Sequence, residues 1–203
     1  MKGTHKYCVL SVKPMQRDLL YVTGNPNKAR ESLSILQELG LQVKPILIKI
    51  PEIQSDDLAE IARFRAKEAY NSLKKPVIVE DAGLFIEALN GFPGPYSSYV
   101  YKTIGNEGIL KLMRGIRRRR AIFKSVVAYY DGIELLTFLG EVEGKISHRL
   151  KGESWGFDPI FEPKGFKGLT YGQLPPEVKN KISHRRKALE KLAAYLLRKH
   201  QNI

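Results

Sequence analysis

Cysteine is almost missing from this 203-residue chain. Cys8 stands alone, so no disulfide can form within it, and the reducing cytoplasm is the expected compartment. No apolar run approaches the roughly 20 residues that a membrane span needs, so no membrane partner is expected. Residues 1–20 carry no signal-peptide core, because Lys13, Pro14, Arg17 and Asp18 interrupt it. Acidic residues are in deficit: 21 Asp and Glu stand against 34 Lys and Arg, a formal charge of +13. Such an excess attracts polyanions, either nucleic acid or nucleotides. Zinc-finger, helix-turn-helix and RNA-binding signatures are lacking, however, and aromatics are not interleaved with the basic residues. No stable nucleic-acid partner is therefore expected, and the run Arg117–Arg120 reads as a solvated turn before a strand.

What is present is an α/β pattern. Leu19–Val22 reads as a strand feeding a helix from about Lys28 to Leu39, with Gly40 closing it. Val43–Ile50 reads as a strand, and Leu58–Leu73 as a helix started by Asp56 and Asp57. Pro76–Val79 is a continuous apolar run of the kind buried on both faces, ending on Glu80-Asp81-Ala82-Gly83. A helix is expected from Glu107 to Met113, and paired strands at Ala121–Tyr130 and Glu134–Gly144 turning on Asp131-Gly132. A short strand at Ile160-Phe161 and a helix from Ser183 to Lys199 complete the chain; another short strand fits Tyr7–Val12. The expectation is one α/β unit with a long mixed central sheet flanked by helices, parallel near its start and antiparallel in its middle. Residues 1–18 read as an N-terminal extension and 19–203 as a single domain.

Thr23-Gly24-Asn25-Pro26-Asn27-Lys28 turns a buried strand into a helix. Unpaired N–H groups at that N-terminus, with Lys28 in reach, suit a phosphate chain; the same turn also serves purely structural ends. Glu80 and Asp81 lie at the end of a buried parallel strand and must point to opposite faces. Asp81 is favoured to face the ligand. A carboxylate beside phosphate calls for Mg2+, with Glu52 as a second ligand, although either acid could simply cap the next element or sit at the surface. Trp155-Gly156-Phe157-Asp158 offers aromatic faces and a carboxylate for a nucleobase, or two core rings. Lys179 and Ser183-His184-Arg185 gather donors at a helix start, where a lone His more often acts as a cap. Lys-Ile-Ser-His-Arg occurs at both 145–149 and 181–185, and the second copy alone has that helix start.

Taken in order, Thr-Gly-Asn-x-x-Lys at 23–28, Pro-Glu-Ile-Gln at 51–54, Val-Glu-Asp-x-Gly-Leu at 79–84 and Gly-x-Pro-Gly at 91–94 form a series. It continues through Trp-Gly-Phe-Asp-Pro at 155–159 and Lys-Asn-x-x-Ser-His-Arg at 179–185. The series resembles the inosine triphosphate pyrophosphatase family, which hydrolyses non-canonical purine nucleoside triphosphates, over roughly residues 19–197. The resemblance implies an elongated two-lobed fold with the site in the cleft between lobes, a homodimer, and Mg2+-dependent conversion of ITP, dITP and XTP to monophosphate and pyrophosphate. By position, Thr23 to Lys28 would cradle the triphosphate, Glu52 and Asp81 would hold the metal, and Asp81 would orient or deprotonate the attacking water. Lys67, a residue type ordinarily solvated in mid-helix, matches a phosphate-contacting lysine. Trp155 to Asp158 would hold base and sugar, with Lys179, His184 and Arg185 closing over the nucleotide. Ala82 stands where serine or threonine is common, Trp155 where phenylalanine is, and Gly172-Gln173-Leu174 where Ala-Glu-Met is typical; residues 1–18 have no counterpart. Two rival readings are a basic nucleic-acid-binding protein and a pyrophosphatase for modified pyrimidine triphosphates.

Overall fold

The computed structural model describes residues 19–201; the strand expected at Tyr7–Val12 and the extension 1–18 lie outside them. The first strand, β1 (Leu20–Val22), is wholly buried. Helix α1 (Pro26–Glu38) begins two residues earlier than expected because Asn25 caps it and Pro26 needs no N–H in the first turn. Strand β2 (Lys44–Ile46) is shorter than the expected Val43–Ile50. Its register pairs Ile46 with Val22, where β1 ends, so the ladder has no partner beyond that point. Helix α2 (Leu58–Leu73) has the expected bounds, capped by Asp57 and closed by Lys74 in the left-handed region at φ 51°.

Strand β3 (Val77–Ile86) departs most from expectation, running straight through Glu80, Asp81, Ala82 and Gly83. It is parallel to β1 only at Val77 and Ile78, but antiparallel to β5 (Arg120–Tyr130) along its whole length, from Val77 opposite Tyr130 to Ile86 opposite Ala121. The long antiparallel partner carries the strand past the two acids. After β4 (Pro93–Gly94), two short helices, α3 (Ser97–Thr103) and α4 (Gly105–Leu112), replace the single expected one. Strand β6 (Leu135–Ile146) returns antiparallel to β5 through a turn in which Asp131 Oδ1 accepts from the N–H groups of Ile133 and Glu134. β7 (Phe161–Pro163), α5 (Pro176–Ile182) and α6 (His184–Gln201) follow. The described strands form one mixed sheet in the order β2-β1-β3-β5-β6-β7, with β4 added beside β3.

Three apolar clusters pack against the sheet. α1 and α6 pack on one face of the sheet against Tyr21, Ile78, Val127 and Tyr129. α2 covers the opposite face over Val22, Val77, Val79, Val126 and Ala128. A third cluster lies at the far end, where Leu84, Ile86, Phe123, Val142 and Ile146 meet Ile109, Phe157 and Phe161. β3, β5 and β6 contribute side chains at both ends, so one sheet serves all three clusters. α6 comes close to β6 at Gly140, where a Cβ would lie 2.1 Å from the carbonyl oxygen of His184; only glycine admits the helix start there.

Of the run Arg117–Arg120, Arg117 and Arg118 are exposed ahead of the strand as expected, and exposed Arg120 is already the first residue of β5. Arg119 is buried, its guanidinium donating to the carbonyls of Met113, Ile116, Ile146 and Ser147. The first Lys-Ile-Ser-His-Arg copy supplies two of those acceptors at the end of β6, whereas the second joins α5 to α6.

Candidate active site

The alternation of β3 sends Asp81 toward α2 and Glu80 toward α1. Asp81 is buried, and its Oδ1 accepts from Arg65 Nη1 at 2.6 Å. The same Nη1 lies 3.4 Å from Glu52 Oε1, whose side chain is 60% exposed. Asp81 Oδ2 and Arg65 Nε are both buried without a hydrogen-bond partner among the described residues. Burial raises the Asp81 carboxyl above its ordinary range, and Lys28 and Arg65 only partly offset it. Lys67, the expected phosphate lysine, is exposed. The cation that α2 brings to Asp81 is Arg65, two residues earlier and about half a helical turn around.

Glu80 is satisfied on every side. Oε2 accepts from Tyr21 Oη at 2.9 Å and from Arg185 Nε at 2.8 Å, and Oε1 accepts from Ser125 Oγ at 2.9 Å. Burial alone would raise its carboxyl, but Arg185 and Lys28 outweigh that and hold it well below the carboxylate range. Lys28 Nζ donates to the Glu80 carbonyl at 3.2 Å, which ties the Thr23–Lys28 turn to β3.

That turn is more self-contained than an open anion site. Asn25 Oδ1 accepts from the N–H groups of Asn27 at 2.9 Å and Lys28 at 3.3 Å, while Thr23 Oγ1 accepts from Asn25 N–H at 3.1 Å. The N–H groups expected to be unpaired are thus capped. Gly24 and Pro26 are exposed, and the turn's contribution to an anion is the Lys28 ammonium, whose pKa burial lowers.

On the Glu80 side, Arg185 Nη1 is bonded to Glu31 Oε2 of α1, and Lys179 Nζ donates to Glu31 Oε1 at 2.7 Å and to Asp158 Oδ2 at 2.5 Å. Trp155 Nε1 donates to the same Glu31 oxygen at 2.8 Å. Lys179 Nζ and the Arg185 guanidinium lie 5.0 and 5.4 Å from the Trp155 ring, within cation–π range. Trp155, Asp158, Lys179 and Arg185 are therefore brought together as the sequence anticipated. Glu31, which joins three of them, was missed. Its place one helical turn past Lys28, on the same face, is the signal that could have found it.

Three expected contacts fall elsewhere. Phe157 is 3% exposed and packs edge-on against Tyr101 at 5.6 Å, so its ring belongs to the core. His184 lies flat on Phe123, with ring centroids 4.6 Å apart and an interplanar angle of 6°. Burial pushes its pKa well below 6.5, so it is a neutral core ring rather than a cationic clamp. Ala82 lies opposite Ser125 on β5 and contributes no polar group. Gly156 adopts φ +65°, and its carbonyl accepts from Asn106 Nδ2 at 3.0 Å, anchoring the Trp155 loop to α4.

The donor set suits a hard divalent cation. Among the described residues Asp81 Oδ2 has no donor, and Glu52 is an accessible carboxylate beside it, both oxygen ligands of the type Mg2+ prefers. No group of three or more His, Cys, Asp or Glu side chains is arranged for a metal among the described residues, so phosphate and water oxygens would complete the coordination. A surface depression of about 700 Å³ lies on the far half of the sheet, beside Phe85, Ile122 and Lys124. On the Glu80 side of the candidate site, Arg185, Lys179 and Trp155 are bonded to one another through Glu31.

A model of the Ham1 family matches residues 19–195. The dITP/XTP pyrophosphatase of Methanopyrus kandleri is 52% identical over 179 residues, covering 87% of this chain and 95% of that protein. The dITP/XTP pyrophosphatase of Thermococcus kodakarensis is 49% identical, covering 88% and 96%. The solved Ham1 protein of Staphylococcus aureus superposes with a TM-score of 0.75 at 30% identity, over 89% of this chain and 99% of that one.

Proposed function

The chain belongs to the Ham1 family, and on that premise we propose that it hydrolyses non-canonical purine nucleoside triphosphates (dITP, ITP and XTP) to the monophosphate and pyrophosphate. The observation that carries this is the division of labour across β3: Asp81, with one free carboxylate oxygen, faces one side, and Glu80 fixes the Arg185–Trp155–Lys179 cluster on the other.

Water attacks the α-phosphorus, a new P–O bond forms, and the bridging Pα–O bond breaks to release pyrophosphate. Asp81 orients the water or accepts its proton; a carboxylate raised by burial is a stronger base than an exposed one. Lys28 and Arg65 supply positive charge to the phosphates. Glu52 and Asp81 would hold Mg2+, which when bound neutralises polyphosphate charge. Trp155 stacks on the base, and Arg185 donates to the 6-oxo group of hypoxanthine or xanthine. The 6-amino group of adenine cannot accept that bond, and a buried donor left unpaired penalises the wrong base. A homodimer working in the cytoplasm, with residues 19–203 as one catalytic unit, completes the proposal.

The test is purified protein with MgCl2 and a panel of ITP, dITP, XTP, GTP, ATP and modified pyrimidine triphosphates, scoring pyrophosphate against orthophosphate. Pyrophosphate from dITP, ITP and XTP is the expected result. Orthophosphate as the product, or equal rates on ATP, would overturn it.

A further inference from the structure

Arg65 stands between the two carboxylates that would hold a metal. Its Nη1 is 2.6 Å from Asp81 Oδ1 and 3.4 Å from Glu52 Oε1, and its side chain is only 6% exposed. Lys28 also lies close enough to act on the Asp81 charge. Two anions and two cations therefore face one another, and the pocket has no net charge to draw in a divalent ion.

The two orphaned atoms say what would be admitted. Asp81 Oδ2 is an acceptor that wants a cationic centre, and Arg65 Nε is a donor that wants an anionic oxygen. A bare metal ion satisfies the first and is repelled by the second. Phosphate without a metal satisfies the second and is repelled by the first. A metal chelated by a phosphate chain satisfies both, leaving neither polar atom desolvated and unpaired.

We propose that Arg65 is a resident counter-cation that bars a free divalent ion from the Asp81–Glu52 pair and admits it only together with a phosphate chain. This rests on the reading of the site as a triphosphate pyrophosphatase centre. Arg65 occupies the position electrostatically while the site waits, so that the buried Asp81 carboxylate is never left unpaired. It pairs with Asp81 until the metal–nucleotide complex arrives, and its guanidinium then turns from Glu52 to the phosphate.

The experiment titrates MnCl2 into the full chain and reads unbound Mn2+ by its electron paramagnetic resonance, with and without a non-hydrolysable dITP analogue. Wild type takes up Mn2+ with the analogue and at least about tenfold more weakly without it, as expected from one unit charge held beside a divalent ion. Arg65→Lys, which keeps the charge, behaves as wild type does. Arg65→Gln takes up Mn2+ without nucleotide at least about tenfold more tightly than wild type, and adding Asp81→Asn to it abolishes that uptake. Wild type binding Mn2+ equally with and without the analogue would overturn the proposal, as would an Arg65→Gln protein no tighter than wild type. If Arg65→Gln does not fold, the wild-type comparison and Arg65→Lys still decide it. Pyrophosphate release from dITP is assayed on the same preparation: release together with tight binding of Mn2+ alone sinks the Arg65 gate and leaves the activity standing. Absence of release sinks the activity, and the titration still rules on the gate.

Discussion

Arg185 Nε donates to Glu80 Oε2 at 2.8 Å, joining α6 to the middle of β3 across 105 residues, with the Arg185 side chain 1% and the Glu80 side chain 0% exposed. Breaking such a buried pair from one side leaves the other charge without compensation, at about 3–5 kcal/mol. Glu80→Gln should therefore lower the melting temperature by roughly ten degrees, at about 2–4 °C per kcal/mol for a chain of this size. It should also narrow the dITP-over-dATP preference, because Arg185 loses its fixed aim. Thermal denaturation and paired kinetics read the two effects; a stable variant with unchanged preference would remove Glu80 from the positioning role.

Asp81→Asn should cut pyrophosphate release from dITP by about 10²–10⁴-fold, the usual contribution of a positioned general base. Dissociation constants for a non-hydrolysable analogue should change far less. Near wild-type turnover would mean that another group handles the water.

Trp155→Ala should raise KM for dITP about 5- to 150-fold, corresponding to a stacking contribution of roughly 1–3 kcal/mol. Steady-state kinetics at saturating substrate should show a smaller change in kcat, since the proposed site sets the ring against the base and not the reacting phosphorus. An unchanged KM would place the base elsewhere.

Lys67→Ala should leave melting temperature and activity close to wild type, because the side chain is exposed on α2. Arg65→Ala should lose stability through the unpaired Asp81 charge and activity through the lost cation. Reversed outcomes would mean that α2 presents its other face to the phosphates.

His184 contributes a pH dependence whose sign follows from its burial. Its folded pKa lies well below the ordinary 6.5, so the unfolded chain binds the proton first as pH falls. The stability this neutral ring contributes is complete above pH 6.5 and declines below it, by at most about 1.4 kcal/mol per pH unit for a single proton. His184→Phe keeps a ring against Phe123 and should flatten the fall in melting temperature between neutral and mildly acidic pH. Parallel curves for variant and wild type would refute the assignment.

The bounds of α2 and the β5–β6 hairpin were legible because caps, helical spacing and an Asp-Gly turn are local properties. β3 was read as ending at its acids because charged residues in a row look like a strand end. Its continuation comes from β5, a partner some forty positions later in the chain, and no local pattern announces such a ladder. Lys67 and Arg65 differ by a rotation about the helix axis, and a motif position fixes that rotation less well than packing does.

By itself, then, the sequence determined the α/β class, a set of candidate residues for a nucleotide's charge and base, and the family resemblance, because residue chemistry and spacing are written along the chain. Only the tertiary structure decided which of those residues meet. Burial selected Arg65 over Lys67, brought in Glu31 as the hub of the base-side cluster, and turned His184 and Phe157 into core rings. The physical reason is that a side chain's solvation and partners depend on the elements packed across from it, and a strand shows each neighbour a different face.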